Sequence, residues 1–192
     1  MPAAKILAFS GSSRRDSFNQ RLVRIAATGV EQAGGEVTLI DLADFPLPIF
    51  NEDLEREQPL PNRLAELKRL FAAHDGLLIA CPEYNSSITP LLKNTIDWVS
   101  RATADEPPLA AYRGKVAGLL SASPGPLGGL RGLVHVRAIL GNIGVLVLPE
   151  QVAVGKADQA FDSGGKLGDP QQSERVIALG RRLAEVTGKC ST

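Results

Sequence analysis

The sequence predicts an α/β protein, a three-layer sandwich in which helices cover both faces of a five-stranded parallel sheet. Three observations carry this reading. Five short apolar runs, the first being Ile6-Leu7-Ala8-Phe9, recur along the chain with the near-continuous hydrophobicity of strands buried on both faces. Segments of helical periodicity separate them, the alternation expected of parallel strands joined by crossovers. Loops rich in hydroxyl residues or glycine follow the first, third and fourth runs. In such sheets ligands sit outside the carboxyl ends of the strands, at the topological switch point.

Lys5 to Ser10 reads as the first buried strand. From Ser17 to about Ala33, apolar Leu22, Ala26, Val30 and Ala33 recur at helical spacing until Gly34-Gly35 stops the helix. Glu36 to Leu42 is β-branched enough for a second strand. The prolines of Phe45-Pro46-Leu47-Pro48-Ile49-Phe50 push their preceding residues out of helix, so this segment is an extended loop. A polar stretch from Asn51 leads to Pro61, where a helix carrying Leu64, Leu67, Leu70 and Phe71 begins and runs to His74-Asp75-Gly76. Gly76 to Cys81 is the third strand.

Pro82 to Pro90 is the loop that follows. Pro90 suits a first helical turn with Thr89 as its N-cap, and Leu91, Leu92, Thr95, Ile96, Trp98 and Val99 fill that helix. Lys115 to Ser121 is the fourth strand, followed by the glycine-rich loop 121–131 and a helix from about Leu130 to Asn142. Val145 to Leu148 is the fifth strand. Residues 155–169 are polar, and Pro170 to Val186 forms the last helix. With the strand order 2-1-3-4-5, loops 10–19, 82–87 and 121–131 line one crevice.

A chain of 192 residues fits one domain spanning 1–192. Its 21 basic and 21 acidic residues cancel, so no long-range field draws nucleic acid or an acidic membrane. No apolar run is long enough to span a bilayer. The first strand begins within a few residues of Met1, which leaves no room for a signal peptide and sets the expectation of a cytoplasmic protein. Two cysteines and two histidines make neither a disulfide framework nor a metal site.

What the crevice holds is narrowed by what its loops lack. Loop 10–19 gathers Ser10, Ser12, Ser13, Ser17, Arg14, Arg15 and Asn19 at the start of a helix, a socket for a phosphate dianion; the plainer reading is a solvated turn with Ser17 as N-cap. It holds a single glycine, Gly11, where a dinucleotide loop needs three, although Asp41 has the place of a ribose-binding acid. Neither a nucleoside-triphosphate loop nor a Gly-x-Ser-x-Gly elbow occurs. A mononucleotide fits best, and the 2-1-3-4-5 order points to FMN.

These residues resemble a known family. Gly11-Ser12-Ser13-Arg14-Arg15-Asp16-Ser17-Phe18-Asn19 resembles the Gly-Ser-x-Arg-x-x-Ser-x-Asn phosphate loop of the NAD(P)H-dependent FMN reductases, flavodoxin-like enzymes that include quinone, chromate and azo-dye reductases. Pro82-Glu83-Tyr84-Asn85-Ser86-Ser87-Ile88 and Leu92-Lys93-Asn94-Thr95-Ile96-Asp97-Trp98 are similar to its second signature, and loop 121–131 to its third. The chain departs at Thr89-Pro90, where many members have Pro-Gly.

The resemblance implies that Ser10, Ser12, Arg14, Ser17, Phe18 and Asn19 surround the FMN phosphate. It places Pro82, Glu83, Tyr84, Asn85 and Ser86 along the isoalloxazine and ribityl chain, and Ser123, Gly125 and Gly128 over the pyrimidine end of the ring. No protein group is assigned as catalytic, because hydride passes from nicotinamide to flavin N5 without a protein base; Tyr84 lies near that event. NADPH or NADH is the implied co-substrate, and a quinone, free flavin, chromate or azo compound the acceptor. A homodimer or dimer of dimers is implied as well. Glu83 reads as structural or flavin-facing, Lys93 and Asp97 as a surface pair, Trp98 as core or subunit interface, Cys81 as buried and Cys190 as part of a frayed tail.

Two rivals remain. A flavodoxin-type electron carrier fits the fold but is ordinarily strongly acidic, and this chain is neutral. A receiver-like signalling domain needs an acidic cluster after the first strand, where Ser10-Gly11-Ser12 stands.

Overall fold

The computed structural model describes residues 3–57, 62–103 and 106–190. Strands β1 (Lys5–Ser10), β2 (Glu36–Leu39), β3 (Gly76–Ala80), β6 (Val116–Ala122) and β7 (Leu146–Val154) form one parallel sheet in the order β2-β1-β3-β6-β7. Counted along the chain, these five strands have the expected order 2-1-3-4-5. A separate antiparallel hairpin, β4 (Glu83–Tyr84) with β5 (Ser87–Ile88), stands at the carboxyl end of β3.

Alternation along each strand divides the core into two layers. Ile6, Ala8, Leu78, Ala80, Val116 and Leu120 face α1 (Phe18–Gln32) and α7 (Pro170–Cys190). Leu7, Phe9, Leu77, Ile79, Ala117 and Leu119 face α3 (Asn62–Ala72), α4 (Pro90–Val99) and α5 (Leu130–Asn142). Helices α1 and α7 approach so closely that a Cβ on Gly29 would lie 1.9 Å from the Ile177 carbonyl oxygen, and one on Gly180 would lie 1.9 Å from that of Ala26. Glycine at both positions lets α1 lie flat beside α7, with its N-terminus at the end of β1.

Most element boundaries are as the sequence predicts, including Ser17 and Thr89 as N-caps of α1 and α4. Several are corrected. The second strand stops at Leu39 rather than Leu42, because the Asp41 carboxylate accepts the Ala43 N–H at 2.9 Å and starts a 3₁₀ turn, Leu42–Asp44. The fifth strand continues past Leu148 and through Pro149 to Val154. It is the sheet edge and its register shifts opposite Ala117 and Leu119, so a residue without an N–H is accommodated.

A short helix, α2 (Glu52–Glu57), lies in the stretch read only as polar; the Arg101 guanidinium holds Glu55 from 46 residues away. Another, α6 (Ala157–Ala160), lies within 155–169. Helix α7 runs beyond Val186, so Cys190 is its last residue and not part of a frayed tail. Pro61, the expected start of α3, lies outside the described residues. Among the described residues no helix is long and apolar enough to cross a membrane.

Candidate functional site

Loop 10–17 is folded by its own hydroxyls. The Ser10 Oγ accepts the Ser12 N–H at 3.2 Å, the Ser12 Oγ accepts the Arg14 N–H at 3.3 Å, and the Ser17 N–H reaches the Arg14 carbonyl at 3.1 Å. Ser17 is buried and caps α1, its Oγ accepting the Gln20 N–H at 3.4 Å. Among the described residues no partner takes the N–H groups of Phe18 or Asn19, so the first turn of α1 keeps donors for an anion.

Three further side chains hold this loop in place. Gln20 donates through Nε2 to the Ser12 carbonyl at 3.2 Å and to Asp41 Oδ2 at 2.8 Å. Thr89 donates to the Gly11 carbonyl at 2.7 Å. Asn19 is buried, donates through Nδ2 to the Ala122 carbonyl at 2.8 Å, and accepts the Ala122 N–H at 2.9 Å through Oδ1. Its amide therefore clamps the end of β6 beside α1. Asp41 is engaged by Gln20 and by its own 3₁₀ turn.

The second loop is a hairpin with a two-residue turn. Asn85 (φ 50°) and Ser86 (φ 67°) are both left-handed, the conformation a tight type I′ hairpin requires at its two central positions. Glu83 anchors it: Oε2 accepts the Gly132 N–H at 2.9 Å and Oε1 accepts the Arg131 guanidinium at 2.9 Å. Burial raises the pKa of this carboxyl, but the hydrogen bonds from Gly132 and Arg131 outweigh it and hold the value below the usual carboxylate range. Glu83 is thus a structural anion capping α5. It leaves Tyr84 projecting, 56 % exposed.

The third loop packs against the end of β7. Gly125 accepts N–H groups from Gly128 and Lys156 at 3.2 Å each, and Ser123 donates its N–H to the Val154 carbonyl at 3.1 Å. Gly129 has φ 88°, and a Cβ there would lie 1.9 Å from the Ser121 Oγ. That hydroxyl in turn donates to the Cys81 carbonyl at 2.6 Å, tying β6 to the end of β3.

The three loops share one crevice of about 320 Å³. From the first loop it is lined by Ser12, Arg14, Ser17, Phe18 and Asn19; from the second by Pro82, Glu83 and Tyr84; from the third by Ser123. Ala122 and Pro124, not singled out in the sequence, complete the wall. Ser10 lies buried beneath the first loop, Asn85 and Ser86 form the hairpin turn, and Gly125 and Gly128 form the turn against β7; none of these five is among the lining residues. Gln20 and Arg131 were also missed, since their partners lie 21 and 48 residues away and carry no local pattern.

The remaining candidates lie elsewhere. Trp98 is core, with its Nε1–H on the Pro48 carbonyl at 2.7 Å. Cys81 is buried, and that burial pushes its thiol pKa far up. Lys93 and Asp97 form the expected pair at 2.7 Å. His74 is buried between the Leu70 carbonyl and the Thr38 hydroxyl, and His135 meets the Ser87 hydroxyl at 2.9 Å on the outer side of α5. Among the described residues no group of side chains is arranged to hold a metal ion.

Comparison with known proteins adds to this geometry. Residues 4–159 match the NADPH-dependent FMN reductase family. A protein named as an NAD(P)H-dependent FMN reductase, from Pseudomonas aeruginosa, is 36% identical over 173 residues, which are 90% of this chain and 89% of that protein. An Escherichia coli quinone reductase is 33% identical over 186 residues, 96% of this chain and 90% of that one. In fold, the chain is similar to a flavoenzyme NAD(P)H:(acceptor) oxidoreductase of Paracoccus denitrificans, with a TM-score of 0.78, 23% identity, and coverage of 97% of this chain and 98% of that one.

Proposed function

The chain belongs to the NADPH-dependent FMN reductase family, and from that premise we propose that it oxidises NADPH or NADH through bound FMN and delivers the electrons to a quinone-type acceptor. The observation that carries this reading is the convergence of three loops, from the ends of β1, β3 and β6, on one crevice with phosphate donors in its wall.

The donor set fits the cofactor. Arg14, the Ser12 and Ser17 hydroxyls and the N–H groups of Phe18 and Asn19 suit a phosphate. Pro82, Tyr84 and Pro124 give the flatter, more apolar lining that a ring needs. When bound, FMN supplies the hydride chemistry. The chain's own residues then position and shield it. Glu83 is held by Arg131 and Gly132, so it fixes the hairpin and moves no proton. Tyr84 stands open on the hairpin, where it meets whatever enters above the crevice.

We take the acceptor to be a quinone because relatives that match over most of their length are named as quinone reductases. A homodimer also fits: Leu130 and Val134, one turn apart on α5, are exposed together with Leu127.

The experiment is direct. The purified protein should be yellow, release FMN on denaturation, and oxidise NADPH or NADH steadily when given a quinone. A protein that takes up no flavin would sink the reading. Flavin binding without turnover by either nicotinamide would favour an electron carrier.

A further inference from the structure

Four arginines crowd the start of α1: Arg14, Arg15, Arg21 and Arg24, against the single acid Asp16 in the same stretch. The first turn of the helix holds no acidic residue. Among the described residues none of the four makes an ion pair. The chain as a whole is neutral, so the excess is local to this stretch; in space Asp41 and Asp44 share a groove with Arg24 and leave Arg14 and Arg21 as the pair beside Phe18.

Two of them are drawn to one ring. The Arg14 guanidinium carbon lies 5.5 Å from the Phe18 ring centroid and that of Arg21 lies 5.9 Å from it. Phe18 lines the crevice and is backed by Phe161, stacked on it at 5.6 Å with 21° between the planes. The Arg21 stem packs against loop 162–165, with a Cβ built on Gly165 lying 3.4 Å from its Cδ. Residues three apart share a helix face, and helical side chains lean toward the N-terminus, so Arg21, which lines the neighbouring groove with Arg24 and Ser163, reaches back over Phe18 at the edge of the crevice. Two guanidinium groups near one aromatic ring, beside the positive end of a helix, make a setting that favours an anion.

We propose that Arg21 joins Arg14 as the second guanidinium of a clamp on a phosphate monoester dianion, with Phe18 and Phe161 as the platform that holds both. The inference rests on the flavin reading above and extends it to a residue outside the loop motif. Arg14 matches one of the two charges of such a phosphate, and Arg21 matches the other. The same chemistry is offered by the 5′-phosphate of FMN and by the 2′-phosphate of NADPH, and binding measurements separate them.

The test compares wild type with Arg21→Gln and Arg21→Lys in fluorescence titrations with FMN and riboflavin, and in calorimetric titrations with NADP⁺ and NAD⁺. Loss of a charge-assisted contact to phosphate should weaken FMN binding by about tenfold or more in R21Q and much less in R21K. Riboflavin, which lacks the phosphate, should move less than about twofold on the same reasoning, and serves as the check that the variant is folded. If FMN holds while NADP⁺ weakens relative to NAD⁺, the clamp stands and its phosphate is the nicotinamide's. The proposal is overturned if both preferences are unchanged, or if riboflavin weakens as much as FMN. Should the wild type bind neither flavin, the flavin reading fails, and the clamp is judged on the NADP⁺ to NAD⁺ ratio alone.

Discussion

Asn19 and Ala122, 103 residues apart, are joined by two hydrogen bonds: the Asn19 amide donates to the Ala122 carbonyl at 2.8 Å and accepts its N–H at 2.9 Å. The side chain thus imitates a neighbouring strand and fixes the start of α1 against the end of β6. This join sets the spacing between the first and third loops of the crevice.

Asn19→Ala should therefore destabilise the fold by about 2 kcal/mol or more, because it leaves a buried donor and a buried acceptor without partners. Urea denaturation checks the loss. FMN affinity should fall with it, since two walls of the crevice are no longer held in register. Asn19→Asp should be no better, as a carboxylate cannot donate to the Ala122 carbonyl.

The hairpin should loosen in acid. The folded-state pKa of Glu83 lies below its ordinary value of 4.5, so its stabilisation is complete above that value. It is lost as the pH falls through the lower folded-state value. Flavin affinity followed from neutral to acid pH should drop in this window in the wild type, and Glu83→Gln should flatten that drop. An identical acid profile in both proteins would show that Glu83 is not the group responsible.

Gly129→Ala should be among the most damaging single-methyl changes in the chain. It combines a left-handed backbone, which costs about 1–3 kcal/mol for other residues, with a collision costing about as much again. The added Cβ would meet the Ser121 Oγ at 1.9 Å, and the Ser121 Cβ lies 2.9 Å from the same point. Ser121→Ala in the same chain should recover part of the loss but not all of it. Thermal melts of the two single variants and the double variant measure that coupling.

Val134→Glu addresses the exposed apolar patch on α5. Val134 is 58 % exposed, so a monomer should tolerate the change within about 0.5 kcal/mol. If α5 is a subunit contact, the variant should elute as a smaller species in size-exclusion chromatography while its melt stays near the wild type.

The α/β class, the sheet order and the place of the crevice were legible because buried strands and amphipathic helices write their periods into the sequence. The motif loops were equally plain, since Gly11, Arg14, Ser17 and the run from Pro82 to Asn85 are local patterns. What failed in the sequence was non-local. Helix α2 had a local signal in Asn51, whose Oδ1 accepts the Asp53 N–H, but its tie to Arg101 had none, and a strand passing through Pro149 is accommodated because β7 is the sheet edge. The hairpin at 83–88 had a local signal in Asn85, a residue that tolerates left-handed backbone, but its partner contacts on α5 had none.

The sequence by itself determined which loops meet at the crevice and what chemistry their residue types suit, because strand ends and turn residues follow from neighbours in the chain. Only the tertiary structure decided how those residues are used. It turned Glu83 into an anchor for α5, engaged Asn19 with Ala122, recruited Gln20 and Thr89 as braces, and brought both Arg14 and Arg21 to the Phe18 ring. Each of these depends on a partner's position in space, and in a parallel sheet the strand ends that meet at one site are far apart in sequence.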